Sequence, residues 1–395
     1  MLRIGYVFER FPSLGQTFCY REVAELMRQG AELRIFSIRR PNGEPPQDWD
    51  PLIVAQVQYL PDESELVKEI TTAIRRGELP KEAVAAIRQW DRQSDFLRLY
   101  QAAHIGLRLQ KAGIGRVHAH FAGMAARTSY WIKHFFGIDY SITAHANDIF
   151  APRPFAVSLP KIVDKAAAVV TVSEFAVVRL KEEFPTDAAK FHRVYNGLDV
   201  SGYPRSNFPS EPPLIVSIGR LIEKKGFGDL IRACAILRAR GYNFRCEIIG
   251  EGPLEQALAG EIKAADLRSV VKLLGTRTQG EIAERLRSAT VFVLACTTED
   301  GGGMDNLPTV IMEAMAAGLP VISTPIAGVP EMVQSGVTGE LVATRDPAAL
   351  ATATGRLLRD RATAMELGAR GRALAEEKFS ISENVRLLAT IFAQR

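Results

Sequence analysis

DNLPTVIMEAMAAGLP, residues Asp305 to Pro320, follows an apolar run, TVFVLA, at Thr290–Ala295. The apolar run predicts a buried strand, and the residues after it predict a loop and then a helix whose N-terminus lies at Asn306–Thr309. Asp305 falls in the loop and Glu313 in the first turns of the helix. Free backbone N–H groups and the helix dipole already favour anions at such an N-terminus. Two carboxylates there therefore indicate a ligand with phosphate for the N–H groups and hydroxyls for the acids, as in a nucleotide-sugar.

Short β-branched runs alternate with helical patterns, such as Asp229–Arg240 and Glu281–Arg287, along most of the chain. Several of these runs are almost wholly apolar, as buried parallel strands are. The alternation predicts parallel sheets with helices on both faces. The predicted strands are Arg3–Phe8, Leu33–Ser37, Gln56–Tyr59, Val117–His120, Tyr140–Thr143 and Ala168–Val172, then Leu214–Ile218, Phe244–Ile249, Val270–Leu273, Thr290–Ala295 and Val321–Ser323.

A proline-rich segment, SGYPRSNFPSEPP at Ser201–Pro213, separates the two series of strands and predicts a linker. We therefore predict an α/β fold of two doubly wound, Rossmann-like domains, residues 1–204 and 205–378, that face each other across a cleft. Ligands of open α/β sheets bind at the carboxyl ends of the strands, so the cleft is the expected site. By analogy, the helical pattern at 379–395 is expected to pack back on the first domain.

Residues 62–111 interrupt the alternation with charge-rich, helix-like sequence. One interpretation is a solvated helical insertion. The other is an acceptor-side or membrane-facing element, in which Phe96, Leu97, Leu99 and Tyr100 lie beside two arginines. These arginines are Arg92 and Arg98.

Composition excludes several classes of protein. The chain has 395 residues, of which 47% are hydrophobic and 24% charged, and its formal net charge is +4, too small for a strongly basic nucleic-acid-binding protein. Four scattered cysteines without CxxC spacing suggest neither disulfides nor a zinc site, which fits the cytoplasm. The first residues, MLRIGYVFERFPS, are too charged for a signal peptide, and no apolar run is long enough to span a membrane. Peripheral contact with a membrane stays open.

Two glycine-containing loops follow predicted strands of the second half. In SIGRLIEKKGF, Gly219 permits a tight turn, and Arg220 and Lys225 could bind a diphosphate or could simply be solvated. In EIIGEGPLEQAL, Gly250 and Gly252 could let the backbone approach a ligand or could only make a tight connection. No G-x-G-x-x-G follows the first strand, so a dinucleotide-dependent dehydrogenase is not indicated.

The segment Asp305–Pro320 provides a third group of candidate binding residues in the second half. Glu313 could accept hydrogen bonds from a ribose diol, and Asp305 could hold hydroxyls of a sugar. The alternative is that Glu313 only balances the helix dipole. Phosphate would meet the N–H groups at the start of the helix, around Asn306, Leu307, Pro308 and Thr309.

GRLIEKKG, IIGEGP and DNLPTVIMEAMAAGLPVISTPIAGVPE together resemble retaining glycosyltransferases of family 4, which have the GT-B fold. YREVAELMRQGAELRIFSIR, SITAHANDIF, VVTVSEF and YNGLD match the same family in the first half. FPSLGQTF, HAHFA and TAHANDIF are most similar to bacterial exopolysaccharide transferases of the colanic-acid type. The likeness runs through nearly the whole chain.

This resemblance implies roles by position. Arg220 and Lys225 would bind the donor diphosphate with Gly219, Gly250 and Gly252 nearby, and Glu313 would bind the ribose. His145 would lie beside the donor sugar, and Gly15 under the diphosphate. Asp305 stands where the family usually has Glu, at the start of its acid-x7-acid motif, after three glycines (Gly301 to Gly303); Glu299 is a possible substitute. Asp148 and Asn196 are further candidates, whereas His118, His120 and His134 are expected to be structural.

The predicted activity is transfer of a hexosyl unit from a UDP- or GDP-linked sugar to a hydroxyl of a saccharide or lipid-linked acceptor, with retained configuration. The predicted catalytic residues are His145, Asp305, Arg220 and Lys225. Fixed cations and a helix N-terminus would stabilise the leaving diphosphate, so neither a metal nor a cofactor is expected. Two alternatives stay open: a nucleotide-sugar epimerase, which would change the donor sugar without an acceptor, and a non-catalytic sugar-nucleotide-binding partner, which would bind without turnover.

Overall fold

The computed structural model describes residues 1–44, 47–90, 95–208 and 212–393. The first domain is built on a parallel seven-stranded sheet of order β3-β2-β1-β4-β5-β6-β7. The strands are β1 Arg3–Arg10, β2 Glu32–Arg39, β3 Val57–Tyr59, β4 Arg116–His120, β5 Asp139–Ala144, β6 Ala168–Thr171 and β7 Phe191–Arg193. The middle of β1 is fully buried, because parallel strands are covered by helices on both faces.

The helices of the first domain connect these strands as crossovers. They are α1 Thr17–Arg28, α2 Pro51–Val54, α3 Glu63–Arg75, α4 Lys81–Trp90, α5 Phe96–Lys111, α6 Met124–Phe136, α7 Ala146–Phe150, α8 Leu159–Lys165 and α9 Glu174–Glu183. The order of the sheet reverses between β1 and β4. The carboxyl ends of the strands beside this reversal are where a doubly wound sheet binds its ligand.

The second domain repeats the architecture on a parallel six-stranded sheet of order β10-β9-β8-β11-β12-β13. Its strands are β8 Leu214–Ile218, β9 Arg245–Ile249, β10 Val271–Leu273, β11 Val291–Leu294, β12 Val321–Ser323 and β13 Gly339–Leu341. Its helices are α10 Phe227–Ala239, α11 Glu255–Ala264, α12 Gln279–Arg287, α13 Thr309–Ala316, α14 Pro347–Arg359 and α15 Arg361–Lys378. The predicted fold class, two doubly wound parallel-sheet domains, is confirmed.

The last helix, α16 (Ile381–Ala393), returns to the first domain and contacts α1. Its Leu388 and Phe392 belong to the same buried cluster as Tyr6 of β1. The chain crosses over beside Gly197, where a Cβ atom would lie 2.4 Å from the Cα of Ile381. Only glycine leaves room for this close approach.

Two short strands, β7 and β13, were not predicted, because three residues that include polar ones show too little alternation to indicate a strand.

The segment 62–111 holds α3, α4 and α5. The interpretation of the whole segment as solvated was wrong for α5, which is largely buried against α6. The membrane-facing interpretation was wrong for Leu99, Tyr100 and Arg98, which are buried, while an acceptor-side role stays a prediction. Arg92 lies outside the described residues. The linker Ser201–Pro213 is described except for 209–211, and the tail 379–395 except for 394–395.

Candidate active site

The carboxyl ends of both sheets face one cleft, and a lysine bridges it. Lys224 Nζ donates to Asn147 Oδ1 in α7 of the first domain at 3.0 Å. The same Nζ lies 3.7 Å from Asp305 Oδ1 in the loop before α13. His145, at the start of α7, and Asp305 are therefore brought to the same region of the cleft. Lys224 was missed because a second lysine in GRLIEKKG gives no signal of its direction.

Lys225 is held by the acid that was expected to bind the sugar. Its Nζ lies 2.5 Å from Asp305 Oδ2, and both side chains are mostly buried. Burial opposes the ammonium charge, but the Asp305 carboxylate outweighs it and raises the pKa of Lys225. Asp305 thus keeps a charged lysine inside the cleft. In this conformation Asp305 pairs with cations and not with a hydroxyl.

Arg220 is exposed at the end of β8, and within the described chain its side chain makes neither an ion pair nor a hydrogen bond. It is therefore available to a ligand. Gly219 beside it provides room for Lys225, because a Cβ at this position would lie 3.3 Å from Lys225 Cδ. The loop after β8 thus carries one unpaired cation, Arg220, and two lysines paired with Asp305.

Gly250 and Gly252 are explained by the contact between the loops after β8 and β9. A Cβ on Gly250 would lie 2.0 Å from the carbonyl oxygen of Gly219, and one on Gly252 would lie 2.6 Å from that of Leu221. Gly250 also has φ +136°, which side chains rarely adopt. The tight-connection interpretation therefore accounts for both glycines, while a contact with donor stays a prediction.

Glu313 is almost fully buried and is bound by an arginine of the opposite domain. Arg21, in α1, donates from Nη2 to Glu313 Oε1 at 2.6 Å. The same nitrogen donates to Gln279 Oε1 at 2.5 Å and to the hydroxyl of Tyr203 at 3.0 Å. Two buried atoms of this network, Glu313 Oε2 and Arg21 Nη1, have no hydrogen-bond partner among the described residues. One acceptor and one donor are thus left open at the cleft.

The start of α13 combines two features: the N-terminal N–H groups of the helix, and a side-chain contact of Asn306 with the first domain. Pro308 occupies the N-cap position, Thr309 is the first helical residue and Leu307 is buried. The side chain of Asn306 is used elsewhere: its Oδ1 accepts from Ser173 Oγ at 2.5 Å. Its backbone N–H, and not its amide group, is therefore the part that could meet a phosphate.

Glu331, in the GVPE sequence after β12, makes a further contact between the domains. Its carboxylate accepts from the backbone N–H groups of Glu174 and Phe175 at 3.0 Å, which caps α9, and from the hydroxyl of Tyr195 at 2.9 Å. Neither Arg21 nor Glu331 was predicted as an interdomain residue. A charged residue near a helix start is usually solvated, and only the tertiary structure brings these partners together.

His145 lies in a buried aromatic setting at the carboxyl end of β5. Its Nε2 is 3.2 Å from Nδ1 of His120, whose Nε2 is 3.0 Å from Glu22 Oε1. Burial would lower the pKa of His120, but Cys19 and Glu22 raise it to about 10. Burial and the nearby His120 charge lower the pKa of His145 well below its usual range. His120 was expected to be structural, yet it contacts the residue for which we predicted function.

Glu22, His118 and His120 have candidate metal-ligand atoms within 4.8 Å of one another. Each ring nitrogen already has a protein partner: His118 contacts Ser141 Oγ at 2.8 Å and Thr143 Oγ1 at 2.9 Å. We therefore interpret this group as a hydrogen-bonded cluster.

The remaining candidates are Gly15, Glu299, Asp148 and Asn196. Gly15 is exposed in a short 3-10 turn, and a Cβ there would meet nothing within 4 Å. Glu299 Oε2 would lie 2.5 Å from a Cβ on Gly303, which explains that glycine. Asp148 accepts from the backbone N–H of His145 at 2.9 Å, and burial raises the pKa of Asp148 to about 6. Asn196 is half-buried near the crossover of the chain.

No helix in the described part of the chain is long and apolar enough to cross a membrane. The four cysteines are buried and free of disulfides.

Comparison with known proteins gives relatives over nearly the whole length. The chain is 40% identical over 181 residues to the amylovoran biosynthesis glycosyltransferase AmsK of Erwinia amylovora, which covers 46% of this chain and 44% of AmsK. The chain thus spans less than half the length of that relative. It is 28% identical over 364 residues to WcaL of Salmonella typhimurium, named for colanic acid biosynthesis, which covers 89% of each chain. Among solved structures, Anabaena Alr3699/HepE in complex with UDP superposes with a TM-score of 0.73 at 16% identity, covering 100% of both chains, and supports the fold.

Two family models match the chain. The model described as Glycosyltransferase Family 4 matches residues 15–201, and the model described as Glycosyl transferases group 1 matches residues 203–374. The boundary between the matches falls in the linker, so each model corresponds to one structural domain. The chain is therefore a glycosyltransferase that belongs to these families, with a family 4 domain before the linker and a group 1 domain after it.

Proposed function

We propose that this glycosyltransferase moves a hexosyl unit from a UDP- or GDP-linked sugar to a hydroxyl of a saccharide or lipid-linked saccharide, in exopolysaccharide or glycolipid biosynthesis. The relatives AmsK and WcaL, named for the biosynthesis of two polysaccharides, support this choice of pathway. We further propose that it acts in the cytoplasm, in peripheral contact with the inner membrane face where its acceptor is lipid-linked.

The observation that carries the proposal is the pair of open atoms at Glu313. A buried carboxylate oxygen without a donor costs free energy, so native structures rarely keep one. The hydroxyls of a ribose diol could donate to Glu313 Oε2 and accept from Arg21 Nη1. A nucleotide would thereby satisfy both groups. Arg220, exposed and unpaired among the described residues, would then bind the diphosphate together with Lys225 and the N–H groups that open α13.

The proposed reaction retains the configuration at the sugar. The bond from the anomeric carbon to the diphosphate oxygen breaks, and the acceptor hydroxyl attacks from the same face. Its proton passes to the leaving phosphate oxygen. Arg220, Lys225 and the start of α13 stabilise the negative charge that grows on the leaving group, and in many enzymes such stabilisation contributes more to catalysis than any other effect. No resident metal or cofactor is assigned in this proposal. His145 would orient the sugar.

The first experiment is a thermal-shift screen of the whole chain against UDP- and GDP-linked sugars, because a ligand that binds only the folded form raises its stability. The sugar that binds is then incubated with a panel of saccharide acceptors, and the anomeric configuration of the product is read by NMR. A product of inverted configuration would contradict the mechanism. Change of the donor sugar without an acceptor would indicate an epimerase, and binding without turnover on any acceptor would indicate a binding partner.

A further inference from the structure

A chain of buried hydrogen bonds leads from the first strand to His145. The hydroxyl of Tyr6 donates to Glu22 Oε1 at 2.7 Å, and His120 Nε2 lies 3.0 Å from the same oxygen. His120 Nδ1 then lies 3.2 Å from His145 Nε2. Tyr6, His120 and His145 are at most 7% exposed. Buried side chains linked in this way have few alternative positions.

The chain of contacts determines which nitrogens carry protons. Glu22 is a carboxylate and can only accept, so His120 Nε2 must carry a hydrogen. The groups that face His120 are Glu22 and Cys19 from α1, Tyr6 from β1 and two histidines. These histidines, His118 on the same strand and His145 at α7, both have lowered pKa values. Among the described residues, Glu22 is thus the single carboxylate of this set, and its charge favours a doubly protonated His120 ring.

We propose that Glu22 and His120 are positioning residues for His145: His120 donates its Nδ1–H to His145 Nε2, which keeps the His145 ring neutral, with its proton on Nδ1. The aromatic rings of Phe18 and Phe121, at 4.9 and 4.3 Å from the His145 ring, help to fix its plane. His145 then meets the donor as a hydrogen-bond donor of set direction. This consequence for turnover rests on the proposed function, whereas the protonation of the three side chains does not.

NMR of the full chain labelled with 15N-histidine tests the protonation directly. We expect His120 to be doubly protonated at pH 7.5 and His145 to be the neutral Nδ1–H tautomer. Glu22→Gln should move the titration of His120 down by about one pH unit or more, because the facing charge is lost. His118→Asn is the matched control, since His118 is buried on the same strand and packs against His120, but its ring nitrogens contact Ser141 and Thr143 and carry no charge that faces His120.

A neutral His120 in the wild type at pH 7.5, an Nε2–H tautomer of His145, or no shift in Glu22→Gln would each overturn the proposal. This measurement needs no substrate, so it stands even if the proposed transfer fails. If Glu22→Gln does not fold, His120→Asn replaces it: the asparagine N–H₂ can still donate to His145 but cannot titrate. Loss of the Nδ1–H signal of His145 in that folded variant would also contradict the assignment.

Kinetics then separate positioning from a merely structural role. His120→Ala should lower kcat roughly 100-fold, as expected when a reacting group is misplaced, with a smaller change in KM for the donor. Glu22→Gln should move the alkaline limb of the plot of kcat against pH to lower pH. His120→Asn should have a kcat well above that of His120→Ala, and its plot should lack that limb. An equal loss at every pH in Glu22→Gln, with no movement of the limb, would indicate a structural role only.

Discussion

The contact between Glu313 and a ribose can be measured by changing the protein and the ligand together. Glu313→Ala removes both carboxylate oxygens, and a 2′- or 3′-deoxynucleoside diphosphate removes one ribose hydroxyl. In the wild type the deoxy ligand leaves Glu313 Oε2 buried without a donor. A hydrogen bond to a charged group contributes about 1.5–3 kcal/mol, so we expect roughly 10- to 150-fold weaker binding of at least one deoxy ligand.

Calorimetry of wild type and variant with UDP or GDP, whichever binds, and its two deoxy forms gives the full cycle. In Glu313→Ala the parent and deoxy ligands should bind about equally, because no carboxylate remains to be left unpaired. Glu331→Gln is the matched control, since Glu331 is also an interdomain carboxylate but contacts α9 and Tyr195. Full discrimination in Glu313→Ala, or none in the wild type, would refute the ribose role.

Arg220→Ala or Lys225→Ala should lower kcat about 100- to 1000-fold with the fold intact, as loss of one group that stabilises developing charge does; single-turnover assays would measure it, and normal turnover would remove the leaving-group argument. A chelator should leave turnover unchanged if these cations replace a metal, and a loss restored by added Mg²⁺ would contradict that. Asp305→Asn leaves two buried lysines without their acid, so urea unfolding should show a loss of about 3 kcal/mol or more, partly recovered by a bound diphosphate; wild-type stability would show that the pair is unimportant. Burial raises the pKa of Asp148 to about 6, so its contribution to stability is complete below its ordinary pKa and is lost as pH rises through about 6; Asp148→Asn should keep that stability, and an unchanged pH profile would exclude Asp148 as its source.

Local sequence patterns predicted much of the fold. Apolar runs, helical periodicity and the proline-rich linker predicted two parallel α/β domains, and most strands lie within two residues of their predicted bounds. The failures share a cause. The three-residue strands β7 and β13 gain their stability from neighbouring strands. Helix α5 carries charged residues that suggest a solvated helix, but it is buried, and Arg98 of α5 and Arg127 of α6 are buried with it. In both cases tertiary contacts outweigh the local pattern.

Local sequence patterns predict which chemical groups the cleft contains: a loop with cations, a helix that follows Asp305 and carries Glu313, and a histidine after β5. Spacing along the chain fixes these groups relative to their own strands and helices. Their partners, in contrast, depend on the tertiary structure. It pairs Lys225 with Asp305, Arg21 with Glu313 and His120 with His145. Each pair joins residues far apart in the chain, and the packing of whole sheets and domains, which no local pattern encodes, sets the distances between them.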